Sequence, residues 1–127
     1  MTFCTKSRVV LCPVARDMVA QECIRGHGER YWLDCLTVMP DHVHLIVFPY
    51  ETTTISEVLR LMKGASSYGV NSILGRSGPL WQRESFDRMI RSEESLSKKR
   101  EYIFNNPVRA GLVARWEDYP WNWSPSL

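Results

Sequence analysis

Hydrophobic and polar positions along this chain change period several times, and each change marks an element. Residues 2–6 (Thr-Phe-Cys-Thr-Lys) alternate as a strand does. Pro13 suits the first turn of a helix running to about Arg25, where Gly26 and Gly28 supply the stop. His27, between those glycines, reads as a turn residue rather than a ligand. Residues 30–39 and 42–48 are β-rich runs separated by Pro40-Asp41, which predicts adjacent antiparallel strands. Thr54-Ile55-Ser56-Glu57 has the pattern of a capping box. Ile55, Val58, Met62, Ala65, Gly69 and Ile73 then recur at three- and four-residue intervals up to Gly75, the signature of a long amphipathic helix. Residues 76–82 read as a loop and 84–91 as a further strand. Ser92 with Glu93 and Glu94 opens a last helix. It should fail near Asn106, because Pro107 disfavours a helical conformation in the residue before it.

The order β-α-β-β-α-β-α predicts an α+β protein of ferredoxin-like topology, an antiparallel sheet with helices packed on one face. Trp116, Tyr119, Trp121 and Trp123 form an aromatic tail expected to pack back on that core. At 127 residues, 44% hydrophobic and 24% charged, the chain has the composition of one globular domain over 1–127, large enough to fold without disulfides. No apolar stretch approaches the roughly 20 residues that span a bilayer, so no membrane partner is expected and the location expected is cytoplasmic. Cys4, Cys12, Cys23 and Cys35 include no CxxC pair, which argues against a zinc ribbon or a thioredoxin-like site and for reduced thiols.

The net charge of +2 conceals polarity: residues 60–115 carry eleven basic and five acidic side chains, whereas the segments on either side are each acidic by two. That basic segment also holds Tyr68, Trp81, Phe86, Tyr102 and Phe104. It could follow a polyanionic strand while stacking its bases, or it could be a solvated helix face.

Candidate chemistry gathers in two places. In Pro40-Asp41-His42-Val43-His44, two imidazoles two residues apart on a strand project from the same face, with Val43 turned away. Two nitrogen donors could share a cation, or the pair could be structural. In Tyr102-Ile103-Phe104-Asn105-Asn106, a phenol and an amide four apart project from one side of the last helix. If that helix crosses the histidine strand, Asn106 completes a site of two nitrogens and one oxygen suited to octahedral Mg²⁺ or Mn²⁺. Otherwise Asn106 caps the turn at Pro107 and Tyr102 is a surface aromatic.

Three separated segments then bear a resemblance. Val38-Met39-Pro40-Asp41-His42-Val43-His44-Leu45-Ile46-Val47, Leu80-Trp81-Gln82-Arg83 with Phe86-Asp87, and Tyr102 through Val113 together resemble the HUH single-tyrosine transposases of the insertion-sequence-200-like family, and among them the REP-associated tyrosine transposases. The resemblance implies a ferredoxin-like fold and cleavage of single-stranded or hairpin DNA. It makes His42, His44 and Asn106 ligands of Mg²⁺ or Mn²⁺, and Tyr102 the nucleophile that forms a covalent 5′-phosphotyrosine. It also allows a homodimer that exchanges the tyrosine helix, or a monomer. Relatives usually carry residues ahead of the first strand that are almost lacking before Thr2. Lys63 and Arg83 are the preferred phosphate or base contacts, with Arg60, Arg88, Lys98 and Lys99 behind them, and Trp81 either stacks a base or belongs to the core. A histidine-triad hydrolase would need a third alternate histidine where Ile46 stands. The non-enzymatic alternative is a ferredoxin-like module that binds single-stranded nucleic acid without cutting it.

Overall fold

The computed structural model describes residues 1–7, 9–86 and 92–127. The elements in chain order are β1 (Thr2–Thr5), α1 (Pro13–Arg25), β2 (Tyr31–Val38), β3 (His42–Pro49), α2 (Ile55–Leu74), β4 (Trp81–Phe86), α3 (Glu93–Phe104), α4 (Asn106–Arg109) and β5 (Asn122–Trp123). The sheet has the order β4-β1-β3-β2-β5, with every neighbouring pair antiparallel. Its first four strands with α1 and α2 make the ferredoxin-like βαββαβ unit, and β5 extends it along the edge of β2.

Local chemistry sets the helix boundaries. The Thr54 side chain accepts the Glu57 backbone N–H at the start of α2, and Gly75 ends that helix in the left-handed region at φ 62°. Ser92 accepts the Ser95 N–H at the start of α3. Among the described residues no helix is long and apolar enough to cross a membrane. The four cysteines are free, two of them buried, and burial pushes the thiols of Cys23 and Cys35 up to about 12.

Strand alternation sorts side chains between two cores. Val43 and Leu45 of β3 join Phe3, Leu33, Leu36 and Val38 beneath α1 and α2, which contribute Ala15, Val19, Val58, Met62 and Val70. The intervening positions, His42, His44 and Ile46, therefore face the other side, where Ile46 and Cys35 pack under Ile103 and Phe104 of α3. Helices α1 and α2 thus cover one face, and α3 adds to the expected architecture by lying across the other, over the histidine strand.

A β-bulge makes this possible. In a regular strand Leu33 and Cys35 would share a face. The register slips between them, so Leu33 enters one core and Cys35 the other. The extra residue is Asp34, a buried carboxylate that accepts two hydrogen bonds of 2.8 Å, from Nε and Nη2 of Arg100 on α3. A bidentate charged pair thus holds the last helix to the bulge.

One expectation is corrected and another extended, and positions 87–91 of the expected fourth strand lie outside the described residues. The fourth strand begins at Trp81, inside the segment read as a loop, because Trp81 pairs with Thr5 and is buried against Phe3. Its alternation is hidden because β4 is an edge strand whose Gln82, Arg83 and Glu84 are exposed. The aromatic tail packs back as expected but also donates β5. The Tyr119 hydroxyl donates to the Val38 carbonyl, the Trp121 indole N–H donates to Asp17, and Trp116 stacks on Phe104 with ring centroids 5.1 Å apart. His27 is structural, as read: its Nδ1 accepts the Leu33 N–H at 2.9 Å, and its ring meets those of Trp32 and Trp123.

Candidate active site

The hairpin between β2 and β3 turns on Pro40-Asp41, closed by the Met39 N–H on the His42 carbonyl at 2.8 Å. The Asp41 carbonyl accepts the Thr5 N–H at 2.9 Å, which fixes the turn to the end of β1. Asp41 is thereby placed to hold the first imidazole, its carboxylate lying 2.6 Å from Nδ1 of His42. A carboxylate at that nitrogen favours the tautomer with the proton on Nδ1 and leaves the Nε2 lone pair outward.

His44 follows two residues along the same face, its ring edge-on to that of His42 with centroids 4.7 Å apart. Its Nδ1 lies 2.8 Å from the Thr2 hydroxyl, the side chain directly across the β1–β3 pairing. Burial foremost, with electrostatic interactions with His42, the N-terminal amine and Arg109 behind it, pulls the His44 imidazole down to about 4. It is therefore neutral at physiological pH, the state in which an imidazole nitrogen can ligate a cation.

Helix α3 brings the third group. It ends at Phe104, and Pro107, the second residue of the short α4, has no N–H to continue the ladder. The Ile103 carbonyl, four residues before Pro107, accepts instead the Thr37 hydroxyl of β2 at 3.4 Å. Across this junction Asn106 reaches the first imidazole, with Nδ2 3.2 Å from the Nε2 of His42. The amide also carries an oxygen, a hard ligand suited to Mg²⁺ or Mn²⁺. Among the described residues no group of three or more His, Cys, Asp or Glu side chains is placed to hold a metal ion, here or elsewhere, so a site at this point depends on the amide oxygen as its third ligand. The donor set at this point is two imidazoles whose inner nitrogens are held by Asp41 and Thr2, plus one amide. Those residues fit a divalent cation, and all three come from one chain.

Tyr102 stands one helical turn before Asn106 and is 58% exposed. The Arg109 guanidinium lies over its ring, Cζ 3.8 Å from the centroid, and donates to its backbone carbonyl at 2.7 Å. On the N-terminal side, Tyr102 shares a groove on α3 with Ser95, Lys98 and Lys99.

The DNA-contact candidates fall out unequally. Trp81 is a core residue: it is 5% exposed, its indole N–H donates to Ser66 at 2.9 Å, and its ring meets Phe3 edge-on at 4.7 Å. No face of it is open to a base. Lys63 is committed to β4, donating to the Gln82 and Arg83 carbonyls at 2.7 and 3.3 Å and to the Ser85 hydroxyl at 3.2 Å. Partial burial pulls its pKa down. It braces α2 against the edge strand rather than presenting a free ammonium to phosphate. Arg60 and Arg83 are exposed, and Arg88 lies outside the described residues.

Three contributors were hidden from sequence reasoning. Thr2 is recognisable only from the β1–β3 register, and Arg109 only once the chain turns back at Pro107. Asp41 stood in the motif beside His42, where its adjacency was the available signal.

Fold and site together describe a ferredoxin-like protein in which a His-apolar-His strand is crossed by a helix carrying an exposed tyrosine, with an amide at the start of the next short helix reaching the first imidazole. The chain belongs to the IS200-like transposase family, whose family model matches residues 1–106. A Haemophilus influenzae protein described as a REP-associated tyrosine transposase is 26% identical over 99 residues, covering 68% of this chain and 55% of its own. The chain thus spans about half the length of that relative. Among solved structures, a REP-associated tyrosine transposase bound to a REP hairpin superposes with a TM-score of 0.77 at 23% identity, over 95% of this chain and 72% of that one, a likeness of fold. A Deinococcus radiodurans R1 protein described as a transposase is 26% identical with a TM-score of 0.54, over 82% and 85% of the two chains.

Proposed function

We propose that this protein is a metal-dependent single-stranded DNA endonuclease and strand transferase that acts through a 5′-phosphotyrosine at Tyr102, on hairpin-flanked or REP-like DNA. The observation that carries this reading is the 3.2 Å approach of the Asn106 amide to His42, one helical turn beyond an exposed tyrosine. His42, His44 and Asn106 would hold Mg²⁺ or Mn²⁺. A cation held by these residues would supply charge neutralisation at a non-bridging phosphate oxygen and help orient the scissile bond.

The chain's own residues perform the rest. The Tyr102 oxygen attacks phosphorus, the bond to the 3′-oxygen breaks, and the proton lost by the phenol is balanced by the one gained at the new 3′-hydroxyl. The phosphotyrosine keeps a phosphodiester linkage, so a second 3′-hydroxyl can reverse the step without ATP. Asp41 and Thr2 keep the imidazoles oriented throughout. The flanking strand would be held by the exposed cations Arg60, Arg83 and Lys98 and by the half-buried Lys99. The exposed ring of Phe86 takes the stacking role that Trp81 cannot. Phe86 pairs with Thr2, which pairs with His44, so all three share one face with Phe86 two strands away, roughly 10 Å. His42 and Asn106 meet within one chain, and a homodimer that exchanges the tyrosine helix is the other arrangement compatible with this reading.

A denaturing gel tests the reading. With Mg²⁺ or Mn²⁺ and an end-labelled hairpin-flanked oligonucleotide, the wild type should give a band of protein linked to DNA. Tyr102→Phe should abolish that band with DNA affinity kept within a few-fold, and His44→Ala should eliminate metal-stimulated cleavage. A Tyr102→Phe variant that still forms the adduct shows that the nucleophile lies elsewhere.

A further inference from the structure

Helix α4 begins with Asn106 against His42 and ends with Arg109 against Tyr102. One short element therefore touches both halves of the candidate site. The Arg109 contact is double: its plane covers the Tyr102 ring at 3.8 Å while Nη2 donates to the same residue's carbonyl at 2.7 Å. A surface cation–π contact alone is weak and leaves both side chains loose. Here the hydrogen bond ties the guanidinium to the backbone of the residue it covers, so the ring gains a fixed wall. Only arginine makes both contacts at once, because its planar fork stacks and donates in the same orientation, whereas a lysine ammonium is a point charge.

We infer that Arg109 is the positioning residue of the tyrosine, walling one face of the Tyr102 ring so that its hydroxyl is presented to a phosphate held at His42, His44 and Asn106. The inference rests on the reading of Tyr102 as the nucleophile. It assigns Arg109 no contact with DNA. Its effect lies in the chemical step and not in strand affinity, since misplacing a reacting group by about 1 Å can cost on the order of a hundredfold in rate.

Two measurements separate the inference from its foundation. In single-turnover adduct formation, Arg109→Ala and Arg109→Lys should both slow the rate at saturating oligonucleotide by about tenfold or more. The half-saturating DNA concentration should stay within about twofold, as expected when an interaction serves the transition state alone. Added guanidinium chloride at millimolar concentration should restore part of the Arg109→Ala rate and leave the wild type unchanged. Independently of activity, the ring ¹H–¹³C NMR signals of Tyr102, identified by their loss in Tyr102→Phe, should shift in Arg109→Ala and in Arg109→Lys, with the other tyrosines unmoved. Wild-type rates in both variants overturn the inference, as do unmoved Tyr102 signals or a collapse of affinity with the saturated rate intact. If the wild type forms no adduct, the nucleophile reading fails, while the NMR comparison still decides whether Arg109 walls the ring.

Discussion

The Asp34–Arg100 pair joins the tyrosine helix to the sheet, and its removal should be felt in both stability and catalysis. Asp34 is 8% exposed and receives two 2.8 Å bonds, whereas the Arg100 side chain is 35% exposed. Exposed pairs contribute about 0–1 kcal/mol, and breaking a buried pair by removing one partner costs about 3–5 kcal/mol. A pair with one buried and one partly solvated member falls between, so Asp34→Ala should destabilise the protein by about 2 kcal/mol. With an unfolding entropy of roughly 2.1 cal/mol/K per residue, that lowers Tm by about 7 °C. Urea unfolding of Asp34→Ala, Arg100→Met and the double variant completes a cycle, in which a coupling of about 1.5 kcal/mol is expected. The same variants should form adduct more slowly, because α3 carries Tyr102 and leads into Asn106. A coupling under about 0.5 kcal/mol, or a destabilised Asp34→Ala with an undiminished adduct rate, would refute the view that this pair docks the helix.

Three further outcomes follow from the geometry. His44 is held down to about 4 against an ordinary value of 6.5, so the unfolded chain binds more protons between those limits. Stability from this residue is therefore full above about pH 6.5 and lost as pH falls toward 4. In metal-free buffer, urea titrations should show about 2 kcal/mol more loss from pH 7 to pH 5 in the wild type than in His44→Gln, and equal losses would remove the buried neutral imidazole. Phe86→Ala should weaken single-stranded DNA binding by roughly tenfold, the contribution of about one stacked base, with Tm nearly unchanged. Fluorescence anisotropy would expose an idle ring by showing wild-type affinity. Trp81→Phe should do the reverse, lowering stability by roughly 1–2 kcal/mol through the lost Ser66 bond and packing while binding DNA normally. A specific affinity loss at full stability would return Trp81 to the interface.

Much of this molecule is written in local pattern. The capping residues Thr54 and Ser92, the stop at Gly75 and the alternation of β3 are dictated within a few residues, and so the element order and the shared face of His42 and His44 were legible. The crossing of α3 was not. It depends on a bulge at Asp34 that leaves no periodic trace, and on a partner, Arg100, sixty-six positions away. The role of Trp81, left open between core and interface, and that of Lys63 were illegible for a related reason: aromatic and basic character is the same in a core or a brace as in an interface, and only long-range contacts with Phe3, Ser66 and the β4 carbonyls distinguish them. β5 escaped because two residues cannot establish a period.

The central claim is most directly tested by finding where DNA becomes attached. After incubation with a hairpin-flanked oligonucleotide and Mn²⁺, nuclease trimming and trypsin digestion, mass spectrometry should place a nucleotide phosphate on Tyr102 in the peptide spanning 101–109. Attachment at any other side chain, or cleaved DNA with no protein-linked nucleotide, would contradict the account.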